Sequence, residues 1–298
     1  MKFLGQKFKR LRPLLGTYVA IELQGDIEEE LLNKYITEGF EAINEVDRLM
    51  SYHRLDSDLN RLNRARPNEW IDVHASTRAV LQISNELFLS SDGIFDIRCG
   101  KVLADCGVIP SFSQSNCFYP SIDKNMVPLE INESSVRKLG PWILDLGGIA
   151  KGFAVDCAVK KIQHMTVGLE LSGVVNAGGD LRVWGNEVIP VVARIYGETD
   201  TWNRSLDIYQ TALATSSVRM CSGLSENLSP AAHVQMPSGK VLRKAKTVSV
   251  LANECLLADA LTKVVLLGEE DVAERCLVSY KARALIFSSE GHFEKMIG

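Results

Sequence analysis

The stretch from Leu144 to Asp156, L-D-L-G-G-I-A-K-G-F-A-V-D, constrains this chain more than any other. It reads as a short apolar strand, two adjacent glycines and then a helical pattern with a lysine in its first turn. A strand that feeds a glycine turn and a helix N-terminus leaves unpaired N–H groups and the positive end of a helix dipole at one point. That arrangement suits an anion such as a phosphate. Asp145, Lys151 and Asp156 all border the turn. The same residue pattern also serves plain packing turns, and these residues alone leave both readings open. A cation at that helix start helps an anion more than it helps the helix, so Lys151 is expected to support ligand binding more than stability.

The partners are bounded by composition. With 298 residues, 46% of them hydrophobic, the chain can bury a large core as one large domain over 1–298 or as two interlocked subdomains. Its 33 Lys and Arg against 37 Asp and Glu give a net charge of −4. No overall basic field therefore favours nucleic acid or an anionic membrane, and a phosphate must be held locally. Seven cysteines without C-x-x-C spacing disfavour both a disulfide framework and a structural zinc. No apolar run is long enough for a transmembrane segment, and the basic first twelve residues lack the core of a signal peptide. The expected location is cytoplasmic as given, or periplasmic if a signal was trimmed.

Along the chain, Thr17 to Leu23 reads as a strand after a turn at Gly16, and Ile27 to Met50 as a long amphipathic helix. Residues 51–63 read as a polar surface connection in which Asp56 or Ser57 caps a short helix. Ser76 to Ser90 is a second amphipathic helix ended by Gly93; Asp96 is a cap or turn former, and residues 104–125 are a long loop. Val174 to Gly185 reads as strand, glycine pair, strand. Strands follow at 188–195, 206–209 and 247–251, with Ala214-Thr215-Ser216-Ser217 and His233 to Gly239 as loops between them. Helices at 256–267 and 270–280 and a strand at 284–288 complete the order, which points to an α+β fold. Asp259 and Lys263 share a helix face and read as an i,i+4 ion pair.

Taken together, these motifs resemble the bacterial FAD:protein FMN transferases, the ApbE family. The likeness runs through Gly16-Thr17, Ser51 to Asn63, Phe95-Asp96, D-L-G-G-I-A-K-G-F-A-V-D at 145–156, V-N-A-G-G-D at 175–180, A-T-S at 214–216, His233 and A-D-A-L at 258–261. It implies an α+β fold of mixed, largely antiparallel sheets with packed helices and an FAD site between two interlocked subdomains. It also implies Mg²⁺ at the FAD pyrophosphate and transfer of FMN to a Thr or Ser hydroxyl of a target protein, with release of AMP. By the same resemblance, Ala150 through its carbonyl, Asp259 and Thr262 would hold the metal. Ser51, Tyr52, Asp96, Lys151, Asp156, Asp180, Thr215 and Ser216 would bind FAD, and His233 and Asp259 would be catalytic.

Four positions depart from the family pattern. Met236-Pro237-Ser238-Gly239 lacks a carboxylate, Ser217 replaces a glycine, Arg98 replaces a threonine, and Lys263 stands where a metal-binding hydroxyl is usual. The alternatives are an FAD-binding paralogue without transferase activity and a pyrophosphatase that gives FMN and AMP. At Lys263 an ammonium and Mg²⁺ would compete for the carboxylate of Asp259.

Overall fold

The protein is described by a computed structural model covering residues 6–111, 127–196, 201–218, 234–235, 240–241 and 246–298. The chain opens with a hairpin of β1 (Gln6–Leu14) and β2 (Thr17–Gly25). Its two-residue turn puts Leu15 and Gly16 at φ 54° and 69°, the left-handed pair that a tight hairpin turn with right-handed strand twist requires. Next comes the amphipathic helix α1 (Glu29–Met50), then a small layer: α2 (Asp58–Arg64), β3 (Ile71–Asp72), α3 (Ala75–Ser90), α4 (Gly100–Asp105), β4 (Leu129–Ile131) and β5 (Ser135–Lys138). The second half holds α5 (Ala150–Met165), β6 (Leu171–Ala177), β7 (Asp180–Trp184), β8 (Ile189–Tyr196), β9 (Thr201–Ile208) and β10 (Ala212–Val218). After them come β11 (Val234–Gln235), β12 (Lys240–Val241), β13 (Lys246–Ala252), α6 (Cys255–Leu267), α7 (Glu270–Ser279), β14 (Arg283–Phe287) and β15 (Phe293–Ile297).

Eight strands form one antiparallel sheet in the order β1-β2-β6-β7-β10-β13-β14-β15, and β3, β5 and β4 form a smaller one. Side chains alternate across the large sheet with the period of two that strands impose. Val19, Ile21, Val175, Ala214, Val248 and Val250 meet α1, α5 and α6 on one face. Leu181, Val183, Leu213 and Phe287 meet the β8–β9 hairpin through Val191, Ala193 and Ile195 on the other. The helix-side core runs without a break into the small layer through Leu59, Leu62, Val80 and Leu87. This is the α+β architecture of antiparallel sheets and packed helices that the resemblance implies. Among the described residues no helix is long and apolar enough to cross a membrane.

Some local readings change. Ala214 to Ser217 is not a loop but lies inside β10, paired with β13 from Ala212↔Ala252 to Val218↔Lys246. Its run of small and hydroxyl side chains carries no strand periodicity, and the ladder to β13 sets the conformation instead. Within residues 51–63, positions 53–56 are exposed and Ser57 caps α2 as expected, but Ser57, Asp58, Asn60 and Asn63 are buried, so the helix is not a surface connection. Leu144 to Leu146, read from the sequence as a short strand, joins no sheet. Of the proposed loop at 104–125, residues 112–126 lie outside the described residues.

Candidate active site

The glycine turn is fixed from α2. Asn63 donates from its amide to the Leu144 carbonyl (2.9 Å) and accepts from the Leu144 N–H (2.8 Å), doing for this segment what a neighbouring strand would do. The Asp145 N–H donates to the carbonyl of Ile97 (2.8 Å), and the Asp145 carboxylate accepts from the Gly147 N–H (2.9 Å). One turn of α2 earlier, Asn60 donates to the carbonyls of Tyr52 (2.6 Å) and Arg54 (2.8 Å), and so shapes the bend after α1. Sequence reasoning missed both asparagines as site builders. Their signal was the i,i+3 spacing in L-N-R-L-N, which puts two amides on one helix face.

Two glycines of the motif face α6. A Cβ on Gly152 would lie 2.3 Å from the Cys255 carbonyl oxygen, so α5 crosses the start of α6 at backbone contact. A Cβ on Gly148 would lie 3.4 Å from Cε of Lys263, whose stem therefore rests on the turn. The second glycine pair, Gly178 and Gly179, sits at φ 68° and 112° in the two-residue turn that joins β6 to β7 and delivers Asp180.

Four charged side chains meet where these parts converge. Lys151 pairs with Asp180 (2.5 Å) and lies 3.6 Å from Asp259. Lys263 donates to the Asp259 carboxylate and, at 3.0 Å, to its main-chain carbonyl, while the Gly152 N–H donates to the other carboxylate oxygen at 3.2 Å. Asp259 is fully buried and Asp180 nearly so, whereas Lys151 keeps 32% of its side-chain surface open and Lys263 14%. Burial opposes the Asp259 carboxylate, but Lys151 and Lys263 more than offset it and hold its pKa below the ordinary value. For Asp180 burial prevails and the pKa is raised despite Lys151. Burial likewise opposes the Lys151 ammonium, yet the two carboxylates keep its pKa well above the usual lysine range. Lys151 is thus ion-paired inside the fold while it also lines the cavity, a pairing that the sequence alone does not show.

The remaining candidates divide between the cavity wall and the layer behind it. A cavity of about 600 Å³ is lined by Ser51, Tyr52, Asp96, Ala150, Lys151, Thr215 and Ser216, together with Asp145 and Lys263. That volume lies within the range of small-molecule sites. Tyr52 donates its hydroxyl to the Pro110 carbonyl (3.1 Å). Asp96 is buried in an ion pair with Arg98 (2.7 Å), whose guanidinium lies 4.8 Å from the Phe88 ring centre, and it caps the short turn at Ile97–Cys99. The departure at position 98 thus supplies an internal partner for this acid. Thr215 shares a hydrogen bond with Ser249 (2.8 Å).

Asp156, Asp180, Asp259 and Thr262 stand behind the wall. Asp156 accepts from the N–H groups of Cys255 (3.0 Å) and Leu256 (2.9 Å) and from Arg182 (2.6 Å), which makes it the cap of α6 supplied from α5. Burial raises the pKa of Asp156 in spite of these donors. His233 lies outside the described residues, as do Met236 to Gly239.

The donors implied for Mg²⁺ do not fit that ion here. The Asp259 oxygens take bonds from Lys263 and Gly152, while the fully buried Thr262 hydroxyl donates to the Asp259 carbonyl and bonds Ser216 (2.7 Å each). Mg²⁺ needs near-octahedral oxygen donors. A dication about 4 Å from the Lys263 ammonium would also meet roughly 8 kcal/mol of repulsion at an effective dielectric of about 20.

The model of the ApbE family matches residues 15–286. The chain is 25% identical to the FAD:protein FMN transferase of Haemophilus influenzae, over 94% of this chain and 86% of that one. It is also 25% identical to the protein of the same name from Vibrio cholerae, over 78% and 73%. Among solved structures, it shares its fold with the flavin transferase ApbE from Vibrio cholerae (TM-score 0.77, 22% identity, 97% and 96% covered). It does so equally with the ApbE protein of Thermotoga maritima (TM-score 0.78, 22% identity, 97% of each chain). With the family model spanning both glycine motifs, the small layer and the Asp259 helix, this chain belongs to the ApbE family.

Proposed function

We propose that the protein binds FAD in this cavity and transfers its FMN moiety to a Thr or Ser hydroxyl of an acceptor protein, releasing AMP. The observation that carries this reading is the convergence of two ammonium groups, Lys151 and Lys263, on a glycine turn in the cavity wall. A diphosphate is the part of FAD that needs such a place. The names of the related proteins, FAD:protein FMN transferase, support the same activity.

In the reaction, the acceptor hydroxyl oxygen attacks the FMN-side phosphorus and the bond to the bridging oxygen breaks. The AMP phosphate leaves with that bond's electrons, and the hydroxyl proton goes to a base. The family resemblance gives that base role to His233. Lys151 and Lys263 offset the charge that gathers on the phosphoryl oxygens, and Asp180 and Asp259 fix where those ammoniums stand. Ser51 and Tyr52, on the bend held by Asn60, form the part of the wall assigned to the flavin.

The test is incubation with FAD and a threonine-bearing acceptor protein, read by intact mass of the acceptor and by AMP release. Flavinylated acceptor with equimolar AMP is expected. AMP and FMN without modified acceptor would mean hydrolysis, and bound FAD with neither product would mean a binding protein.

A further inference from the structure

The side-chain oxygens of Asp259 and Thr262 that would hold a divalent ion are engaged inside the protein, and one of the groups that engage the carboxylate is itself a cation. Resting on the diphosphate reading above, we infer that Lys263 takes the divalent ion's place as a built-in counter-charge, so that the site binds FAD without metal.

Three observations converge on this. Lys263 is a cavity-lining residue whose stem lies on Gly148, which brings its ammonium to the same turn as Lys151. That ammonium has three N–H groups; two go to the carbonyl and carboxylate of Asp259, which leaves one for an anionic oxygen in the cavity. Finally, two lysines face two buried acids, so the cluster is balanced before any ion enters, and a diphosphate adds negative charge beside two ammoniums. The lysine four residues after Asp259 thus does by covalent attachment what a bound ion does by coordination. Metal independence follows, along with resistance of FAD binding to chelators.

The experiment is a calorimetric titration of the full chain with FAD in EDTA and in millimolar MgCl₂. It is repeated for Lys263→Met, Lys263→Arg and Lys263→Thr, with thermal melting of each variant. The unaltered chain should change its Kd by less than about twofold between the two conditions. Lys263→Met should bind at least about tenfold more weakly in both, as expected for one lost charge-assisted hydrogen bond. Lys263→Arg should stay within a few-fold of the original and remain indifferent to MgCl₂. Lys263→Thr should bind weakly in EDTA and tighten by about tenfold or more in MgCl₂.

Tightening of the unaltered chain by tenfold or more in MgCl₂ would overturn the assignment, as would full affinity in a folded Lys263→Met. Should Lys263→Met fail to fold, the unaltered chain and the Arg and Thr variants decide. Inorganic pyrophosphate separates the two layers of argument. Metal-free, Lys263-dependent pyrophosphate binding without FAD binding would overturn only the flavin reading, whereas binding of neither ligand would overturn both.

Discussion

Gly152→Ala sets two opposite effects against each other at one atom. Within a helix, alanine is favoured over glycine by about 1 kcal/mol, and burying the methyl adds a further ~0.8 kcal/mol. Both would make the variant more stable if the site had room. The added Cβ would instead lie 2.3 Å from the Cys255 carbonyl oxygen, 2.6 Å from its carbon and 2.8 Å from Cα of Leu256. All three are backbone atoms in the first turn of α6, so no side chain can swing away. Ordinary contact between carbons is about 3.5–4.0 Å, which requires the helices to part by roughly 1 Å. That displacement costs about 1–3 kcal/mol as overpacking. It also pulls the Gly152 N–H from Asp259 (3.2 Å) and strains the bonds from Cys255 and Leu256 to Asp156, at about 1.5–3 kcal/mol for hydrogen bonds to a charged group. The net expectation is a loss of about 1–4 kcal/mol, measured by urea unfolding, with weaker FAD binding because Lys151 and Lys263 ride on the two separated helices. A variant as stable as the original would refute the backbone contact that places those helices.

Three further outcomes follow from named contacts. Asp156→Ala removes the cap of α6 and the partner of Arg182, and should lower stability by about 2–3 kcal/mol in denaturant titration, whether or not FAD is present. Lys151→Ala leaves Asp180 and Asp259 with one cation fewer. It should cost about 2–4 kcal/mol at pH 7 and less in acid, where neutral carboxyls need no counter-ion; an effect on FAD binding alone would contradict the ion pairing. At Asp58 burial alone would raise the carboxyl pKa, but Arg61, the His74 N–H and Thr77 bind it and hold it below the ordinary value. Its contribution is therefore present above the unfolded value of about 4 and is lost as pH falls through the depressed folded one. The stability gap between the protein and Asp58→Asn, followed by urea unfolding from pH 7 to pH 3, should narrow only below about pH 4.

What the sequence made legible follows from how local each determinant is. The helices at Glu29–Met50, Ala75–Ser90 and Cys255–Leu267 carry their own apolar periodicity, and their positions are readable from it. The strand Ala212–Val218 is not, because Ala214-Thr215-Ser216-Ser217 has no alternation and owes its form to β13, more than thirty residues on. The first strand is hidden in another way: K-F-K-R-L-R does not alternate, since Phe8 and Leu11 fall on opposite faces, and it lies on a sheet edge where charged side chains face water. At the site, residue types were legible and partners were not. Asp156 stands beside the glycine turn in sequence, yet its acceptor role is toward N–H groups about a hundred residues away. Asn63 was read as part of a surface segment because an amide that replaces a strand partner for Leu144 leaves no periodic trace.

The two helices that meet at Gly152 are finished differently at their N-termini, and the difference bears on function. At the start of α6 the N-cap residue Glu254 makes no side-chain cap, and Asp156 supplies both acceptors from the neighbouring helix. Those N–H groups and that end of the dipole are therefore consumed within the fold. At the start of α5, Ile149 offers no side-chain cap; the first-turn N–H groups of Ala150 and Phe153 turn back to Leu146 and Ile149, and that of Gly152 goes to Asp259. At this end an outside carboxylate, Asp259, takes one N–H, where Asp156 takes two at α6, and Ala150 and Lys151 line the cavity. A further carboxylate in front of α5 would repel a diphosphate, whereas the aliphatic N-cap Ile149 adds no such charge. The acids that pair with the two ammoniums, Asp180 and Asp259, do not line the cavity, whereas Asp145, bonded to the Gly147 N–H of the turn, does. Moving one acid to the front tests this ordering: Ala150→Asp, at the partly exposed, cavity-lining first residue of α5, should suit the helix dipole while weakening FAD binding in calorimetry. Unchanged affinity would show that the diphosphate does not approach this helix end.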